Sequence, residues 1–220
     1  MKIVTLRYDS DLEDPCNEDG WKVYSFSHRH RSYRNPADFF PNGKAGIGLR
    51  RKLAVGTAFI LSYFEHGGCV WSLRGTGPRC QWDSVDVAGV LVWEGKVADL
   101  GPKTYEDRAK DASAFLRVYT AWCNGEGYSY SVDNVKQLPC GHTETESVDS
   151  CGGFYGTDLD FMAEQVREAV GGDKQVQIRG EAKDLADFHD FGQGDGEDDG
   201  EDTAAPTDPA REDFHSDDGR

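Results

Sequence analysis

The sequence predicts an α+β fold with a mostly antiparallel sheet, two main helices and a disordered acidic C-terminal tail. Three observations support this prediction. Short segments in the first half of the chain alternate apolar and polar residues between turn residues, as strands do. Two later segments repeat apolar residues every three or four positions, as helices do. Finally, the composition becomes strongly acidic near the C-terminus.

The change in composition predicts where the folded body ends. Residues 181–220 contain fifteen acidic and three basic residues, a net charge of −12. Residues 1–180 contain twenty-five acidic and twenty-one basic residues, a net charge of −4. We therefore expect a single α+β domain over residues 1–180 and an acidic disordered tail over residues 181–220.

The predicted strands follow from period-two alternation and from apolar runs. The run at residues 53–64 is the most apolar of the chain, which predicts a central strand buried on both faces. Gly67 and Gly68 follow it and predict the tight turn of a β-hairpin. The other predicted strands are residues 2–8, 21–26, 69–73, 87–93 and 128–132, with a short edge strand at 175–179.

Two helices are predicted at about 104–124 and 158–170. Thr104 and Asp107 have the spacing of a capping box, and Gly125 can end the first helix in a left-handed conformation. In the second helix the apolar residues Leu159, Met162 and Val166 recur at helical spacing. Four tryptophans of the body are interpreted as core residues: Trp71, Trp82, Trp93 and Trp122.

Several classes of function are excluded or disfavoured by composition. The longest apolar runs fall short of the roughly 18–20 residues that a membrane helix needs. The N-terminal segment lacks the features of a secretory signal, so we expect a cytoplasmic protein whose six cysteines are reduced thiols. No basic tract has the extent of a nucleic-acid binding surface and no phosphate-binding loop is present, so we expect neither direct nucleic-acid binding nor a cofactor. The oligomeric state is left open.

Four ordered blocks of the chain carry recognisable signatures. Residues 80–84 (CQWDS) resemble the signature C-R-W-D-S-G, and residues 149–156 (DSCGGFYG) resemble E-S-C-W-G-F-Y-G. Residues 13–31 and 61–68 resemble further blocks of the same set. Over residues 3–160 the chain thus resembles a family of uncharacterised proteins carried by bacteriophages, plasmids and other mobile elements. This resemblance implies a shared origin and fold, and it implies no chemistry.

Three weak sites can be drawn from cysteine, histidine and carboxylate residues. Cys140, His142 and Cys151 could bind a metal, but they lack the paired spacing of structural zinc sites, which favours free thiols. Cys151 precedes two glycines and a predicted helix, as a nucleophile could, although these glycines are equally explained by a tight turn. Asp83, with His66 as its partner, could serve general acid–base catalysis, or it could simply cap a turn.

Two charged segments are candidates for binding a partner. The only dense basic stretch could contact an acidic partner or the acidic tail of the same chain, or it could be a solvated loop. The tail could bind a partner or merely maintain solubility. The partner-binding candidates are His28, Arg29, His30, Arg31 and Arg34 in the basic stretch, and Asp198, Asp199, Glu201 and Asp202 in the tail.

Together these features predict a non-enzymatic accessory protein of a phage or mobile element that binds a host protein. Interference with a host defence or regulatory factor is one such role. The chain lacks a complete catalytic set, which disfavours an enzyme. The alternative is a small hydrolytic enzyme with a site around Asp83 and Cys151.

Overall fold

The computed structural model describes residues 1–17, 20–172, 175–185 and 188, and it confirms the α+β class. Within these residues eight strands form two four-stranded sheets. The strands are β1 (Lys2–Tyr8), β2 (Trp21–Ser25), β3 (Ala58–Glu65), β4 (Cys69–Leu73), β5 (Ser84–Trp93), β6 (Gly127–Gln137), β7 (Thr143–Tyr155) and β8 (Val176–Arg179). The helices are α1 (Pro36–Phe39), α2 (Ile47–Val55), α3 (Tyr105–Cys123) and α4 (Leu159–Val170).

The first sheet has the strand order β7-β6-β1-β8, and the second sheet has the order β2-β5-β3-β4. All neighbouring strands are antiparallel except β1 and β8, which are parallel. The mostly antiparallel sheet arrangement and the hairpin between β3 and β4 are therefore confirmed. The short strand predicted near residue 176 is also confirmed, as the edge of the first sheet.

Each sheet is covered by helices that the apolar pattern places against it. In the first sheet, Val4 and Leu6 of β1 pack with Met162 and Val166 of α4. On one face of the second sheet, α3 contributes four buried side chains, and α2 packs against the opposite face. The buried residues of α3 are Ala112, Leu116, Tyr119 and Ala121. The second sheet thus has a helical layer on both faces.

Both predicted main helices are confirmed, and the predicted cap at the start of α3 is present. The Thr104 hydroxyl accepts a hydrogen bond from the Asp107 amide at 3.1 Å, which fixes the start of α3. Gly171 follows α4 with a left-handed φ of 63°. None of the described helices combines the length and the apolar character needed to cross a membrane.

The prediction of one continuous strand at residues 53–64 is wrong. Residues 53–55 form the last turn of α2, and the strand begins at Ala58. The break lies at Gly56, which adopts a left-handed φ of 72° while its amide and that of Thr57 bond back to the helix. Because glycine enters this conformation without a Cβ clash, the helix ends there despite the continuous apolar sequence.

Strand β7 was not predicted by its sequence. Its residues up to Gly153 are exposed, so the strand lacks the alternation that a half-buried strand shows. It is held by pairing with β6 along nearly its whole length. Cys151 therefore lies within a strand, and the prediction that it occupies a turn ahead of the second helix is wrong.

The packed body extends beyond residue 180. Ala182 and Phe188 are buried against the core of the first sheet, with exposed fractions of 3% and 1%. The compositional boundary at residue 180 therefore falls inside the packed core. The disordered tail predicted beyond it lies, from residue 189 onward, outside the described residues.

Candidate binding groove

An open groove lies on the face of the second sheet that α3 covers only in part. Two adjoining cavities of about 610 and 700 Å³ form it. Their shared walls define the groove: Arg29, His30, Tyr63, Glu65 and Trp71. Cavities of this size and aromatic character are typical of binding sites.

The floor of the groove is an aromatic and apolar row that crosses three strands. Tyr63 of β3 pairs in register with Trp71 of β4 on one side and with Val85 of β5 on the other. The Tyr63 and Trp71 rings lie 4.8 Å apart. Trp71 is buried, and its indole N–H has no acceptor among the described residues. A buried donor left unpaired costs about 1–3 kcal/mol, so the floor contains an unused hydrogen-bonding group.

A carboxylate, Glu65, lines both cavities beside this floor. The Tyr63 hydroxyl donates to Glu65 Oε2 at 2.9 Å. Burial, followed by this hydrogen bond to a negative acceptor, raises the pKa of Tyr63. The phenol therefore stays protonated and keeps donating to Glu65.

The side wall of the groove is the turn that follows β2. His30 anchors it: Nδ1 accepts from the Ser32 amide at 3.1 Å, and Nε2 lies 3.2 Å from the Tyr119 hydroxyl of α3. The His30 ring also meets the Trp71 ring edge-on at 5.3 Å. Burial lowers the pKa of His30, with a smaller contribution from Arg31 and opposition from Asp14. His30 is therefore a neutral residue that positions the wall.

The basic side chains of this turn differ in how they are used. Arg31 pairs with the buried Asp14 at 2.8 Å and lies 4.4 Å from the centre of the Trp122 ring. Arg34 lies 5.5 Å from the centre of the Tyr24 ring. Both guanidinium groups are thus held by the protein itself.

Arg29 and His28 complete the predicted basic set. His28 stacks on Tyr33 with ring centres 4.1 Å apart. The exposed guanidinium of Arg29 has no ion pair or hydrogen bond with any described residue, and Arg29 lines both cavities. Among the predicted basic residues, Arg29 is therefore the one whose charge is available to a ligand in the groove.

One edge of the groove carries exposed apolar side chains. Trp82 is 84% exposed, so its prediction as a core residue is wrong. Its neighbour Asp83 accepts a hydrogen bond from the Glu65 amide through its carbonyl, which holds the backbone next to Trp82 against the strand end that carries Glu65. Val85 and Val87, which line the smaller cavity, are 52% and 39% exposed. We call Trp82, Val85 and Val87 the apolar rim.

The other tryptophans follow the prediction more closely. Trp71 is buried, and Trp93 and Trp122 are partly buried against the same core. Trp82 differs because it lies in the connection between β4 and β5, where no helix covers it.

The catalytic candidates fall into two separate places. His66 Nδ1 lies 3.2 Å from Asp83 Oδ2, and both groups are at the surface near the hairpin turn of the second sheet. Cys151 lies in β7 of the first sheet. The structure thus brings His66 to Asp83 but places the thiol of Cys151 in a different sheet.

The metal candidates are likewise only partly assembled. Cys140 Sγ lies 3.4 Å from His142 Nδ1 in the exposed turn between β6 and β7. Cys151 is paired with Tyr130 further along these strands. In the described part of the chain, no three His, Cys, Asp or Glu side chains are grouped as metal ligands would be.

The acidic binding candidates Asp198, Asp199, Glu201 and Asp202 lie outside the described residues. The residues that sequence reasoning missed are Tyr63, Glu65, Val85 and Val87. The sequence contains a signal for them, because Tyr63 and Glu65 in β3 are two residues apart, as are Val85 and Val87 in β5. Residues at this spacing point to the same face of a strand. Nothing in the sequence indicates, however, that α3 leaves this part of the sheet uncovered.

The groove therefore combines an aromatic floor, an available arginine and an exposed apolar rim. Comparison of the chain with family models, curated proteins and solved structures gave no match. Its function is accordingly inferred from this geometry.

Proposed function

We propose that this chain is a non-enzymatic accessory protein of a phage or mobile element that binds a host protein in the cytoplasm of the bacterial cell. The groove and its apolar rim are the binding site. The observation that carries the proposal is Trp82, an indole that is 84% exposed and precedes Asp83, whose carbonyl accepts from the amide of the cavity-lining Glu65. Tryptophan is strongly enriched among the residues that dominate protein–protein binding energy.

The chemistry of the groove suggests the kind of segment that it binds. Arg29 has no ionic partner among the described residues, and a free guanidinium recognises a carboxylate through two parallel hydrogen bonds. The floor and the rim offer Trp71, Val85 and Trp82 to apolar side chains. We therefore infer that the partner presents an extended segment with an acidic residue flanked by apolar residues.

The placement of the catalytic candidates supports this choice over a hydrolytic enzyme. The alternative requires Asp83 and Cys151 to act near each other, but Asp83 immediately precedes β5 of the second sheet, whereas Cys151 lies in β7 of the first sheet. His66 and Asp83 form a contact at the surface that does not include Cys151. A binding role requires only the groove, the rim and Arg29.

The proposal is tested by capture from host lysate with full-length protein, followed by binding measurements with the purified partner. The variants are Trp82→Ala and Arg29→Ala. The matched control is Phe161→Ala, which removes an aromatic side chain that is 56% exposed on α4, against the other sheet. Truncating an interface tryptophan costs about 2 kcal/mol or more, which raises the dissociation constant by about thirty-fold.

The expected result is one partner that binds wild type and Phe161→Ala equally and binds both groove variants much more weakly. Equal binding by Trp82→Ala and wild type would contradict the proposal. So would the absence of any partner that binds the purified protein. The identity of the partner then decides whether a host defence or regulatory factor is the target.

A further inference from the structure

Two cysteines lie in the wall of the larger cavity. Cys69 is the first residue of β4, Cys123 is the last residue of α3, and both are partly buried. Both residues line this cavity, and each thiol shifts the pKa of the other. The pair therefore sits where the hairpin of β3 and β4 meets the C-terminal end of α3.

The backbone around the pair is held in place by Asn124. Its side-chain oxygen accepts from the Cys69 amide at 2.8 Å, and its side-chain nitrogen donates to the Cys69 carbonyl at 3.1 Å. Two residues further along β4, the Trp71 amide donates to the Thr120 hydroxyl of α3 at 3.0 Å. The hairpin and the helix end are thus fixed side by side, which keeps the two thiols opposed.

The two thiols are chemically distinct. The Cys123 thiol donates to Cys69, which lowers the pKa of Cys69, while burial and the charges of Glu65 and Glu126 oppose this effect. The same hydrogen bond and burial raise the pKa of Cys123. Cys69 is accordingly the more nucleophilic partner, and Cys123 is placed to attack whatever forms on Cys69. Cys16 is different, because burial raises its pKa to about 11.

We propose that Cys69 and Cys123 form a reversible disulfide by exchange with a low-molecular-weight disulfide, and that this bond narrows the groove. The Cys69 thiolate attacks one sulfur of the small disulfide, whose S–S bond breaks and releases one thiolate. Cys123 then loses its proton to solvent and attacks the Cys69 sulfur, which releases the second thiolate. The two cysteines lose two electrons and two protons, and the small disulfide is reduced to two thiols.

Formation of the bond changes the shape of the groove. A disulfide holds its sulfurs about 2.0 Å apart, closer than two thiols in hydrogen-bonding contact. The bond therefore draws the start of β4 toward the end of α3 and narrows the cavity between Trp71 and Trp122. This consequence rests on the proposed function, because it predicts that the oxidised protein binds its partner more weakly.

The test uses reduced full-length protein equilibrated with mixtures of reduced and oxidised glutathione. Peptide mass spectrometry then identifies which cysteines are linked. In wild type we expect a Cys69–Cys123 cross-linked peptide that disappears with excess reduced glutathione. In Cys123→Ser we expect a persistent mixed disulfide of glutathione on Cys69, because the resolving thiol is missing. The matched control, Cys151→Ser, removes an exposed thiol of the first sheet and should leave the cross-link unchanged.

Two further measurements distinguish the effect of the disulfide on the groove from the proposed binding role. Tryptophan emission, which needs no partner, should change on oxidation in wild type and stay constant in Cys123→Ser, since Trp71 and Trp122 line the same cavity. Affinity for the purified partner should fall severalfold on oxidation of wild type only. Absence of the cross-link overturns the proposal, whatever the protein binds. A cross-link that changes neither tryptophan emission nor affinity for the partner overturns the proposal that the disulfide narrows the groove.

Discussion

The hydrogen bond between His30 and Tyr119 predicts a specific cost for removing one hydroxyl group. Tyr119 is fully buried, and its hydroxyl lies 3.2 Å from His30 Nε2. Tyr119→Phe keeps the ring and removes only this hydroxyl, which leaves the imidazole N–H without its partner. Losing one partner of a buried hydrogen bond costs about 1–3 kcal/mol of unfolding free energy. For a chain of this size each kcal/mol lowers the melting temperature by about 2–4 °C.

The expected shift for Tyr119→Phe is therefore a fall of roughly 2–12 °C in the melting temperature, measured by calorimetry. Tyr8→Phe is the matched control, because Tyr8 is 58% exposed and its ring contacts that of Tyr128. Hydrogen exchange should also accelerate at the Ser32 amide, which donates to His30. Equal melting temperatures for the two variants, with unchanged exchange at Ser32, would refute the conclusion that His30 and Tyr119 hold the wall.

Three other perturbations test the fold and its charges. Because the pKa of His30 is lowered in the folded protein, the folded protein binds protons less readily than the unfolded chain. The contribution of His30 to stability is therefore complete above about pH 6.5 and is lost as the pH falls below that value. The melting temperature of wild type should fall on acidification more than that of His30→Gln, and parallel curves would contradict this. Phe188→Ala should lower the free energy of unfolding, measured with denaturant, by about 3–5 kcal/mol, because Phe188 is 1% exposed. A loss below about 1 kcal/mol would show that Phe188 lies outside the core. Gly89→Ala should destabilise the protein by about 1–3 kcal/mol or more, since the added Cβ would lie 2.4 Å from the Tyr24 carbonyl oxygen. The control Gly48→Ala, whose Cβ enters open space on α2, should not destabilise it. Equal stability of the two variants would be the contrary result.

Local patterns in the sequence were sufficient for much of the secondary structure. Strand β1 and helices α3 and α4 were predicted within a residue or so, because alternation, helical spacing and caps such as Thr104 act over only a few residues. The prediction of one strand over residues 53–64 took no account of the glycine within it. Gly56 ends α2 inside an apolar run, and the left-handed conformation that makes this possible is a property of glycine that the sequence displays.

The candidate site could be predicted only in part. The basic stretch was identified from its composition, but its members differ in availability for reasons that lie elsewhere in the chain. Arg31 is occupied by Asp14, whereas Arg29 is left without an ionic partner in the described structure. Trp82 was taken as core because its residue type is usually buried, and only its position in an uncovered connection exposes it.

The sequence by itself therefore determined the class of fold, the main helices, most strands and the charge contrast between the body and residues 181–220. These features depend on interactions between residues close in the chain. The tertiary structure decided how far α3 covers the second sheet, and hence where the groove opens. It also brought together His30 with Tyr119 and Cys69 with Cys123, pairs separated by 89 and 54 residues. Such contacts arise from packing between distant segments, for which a single sequence carries no local signal.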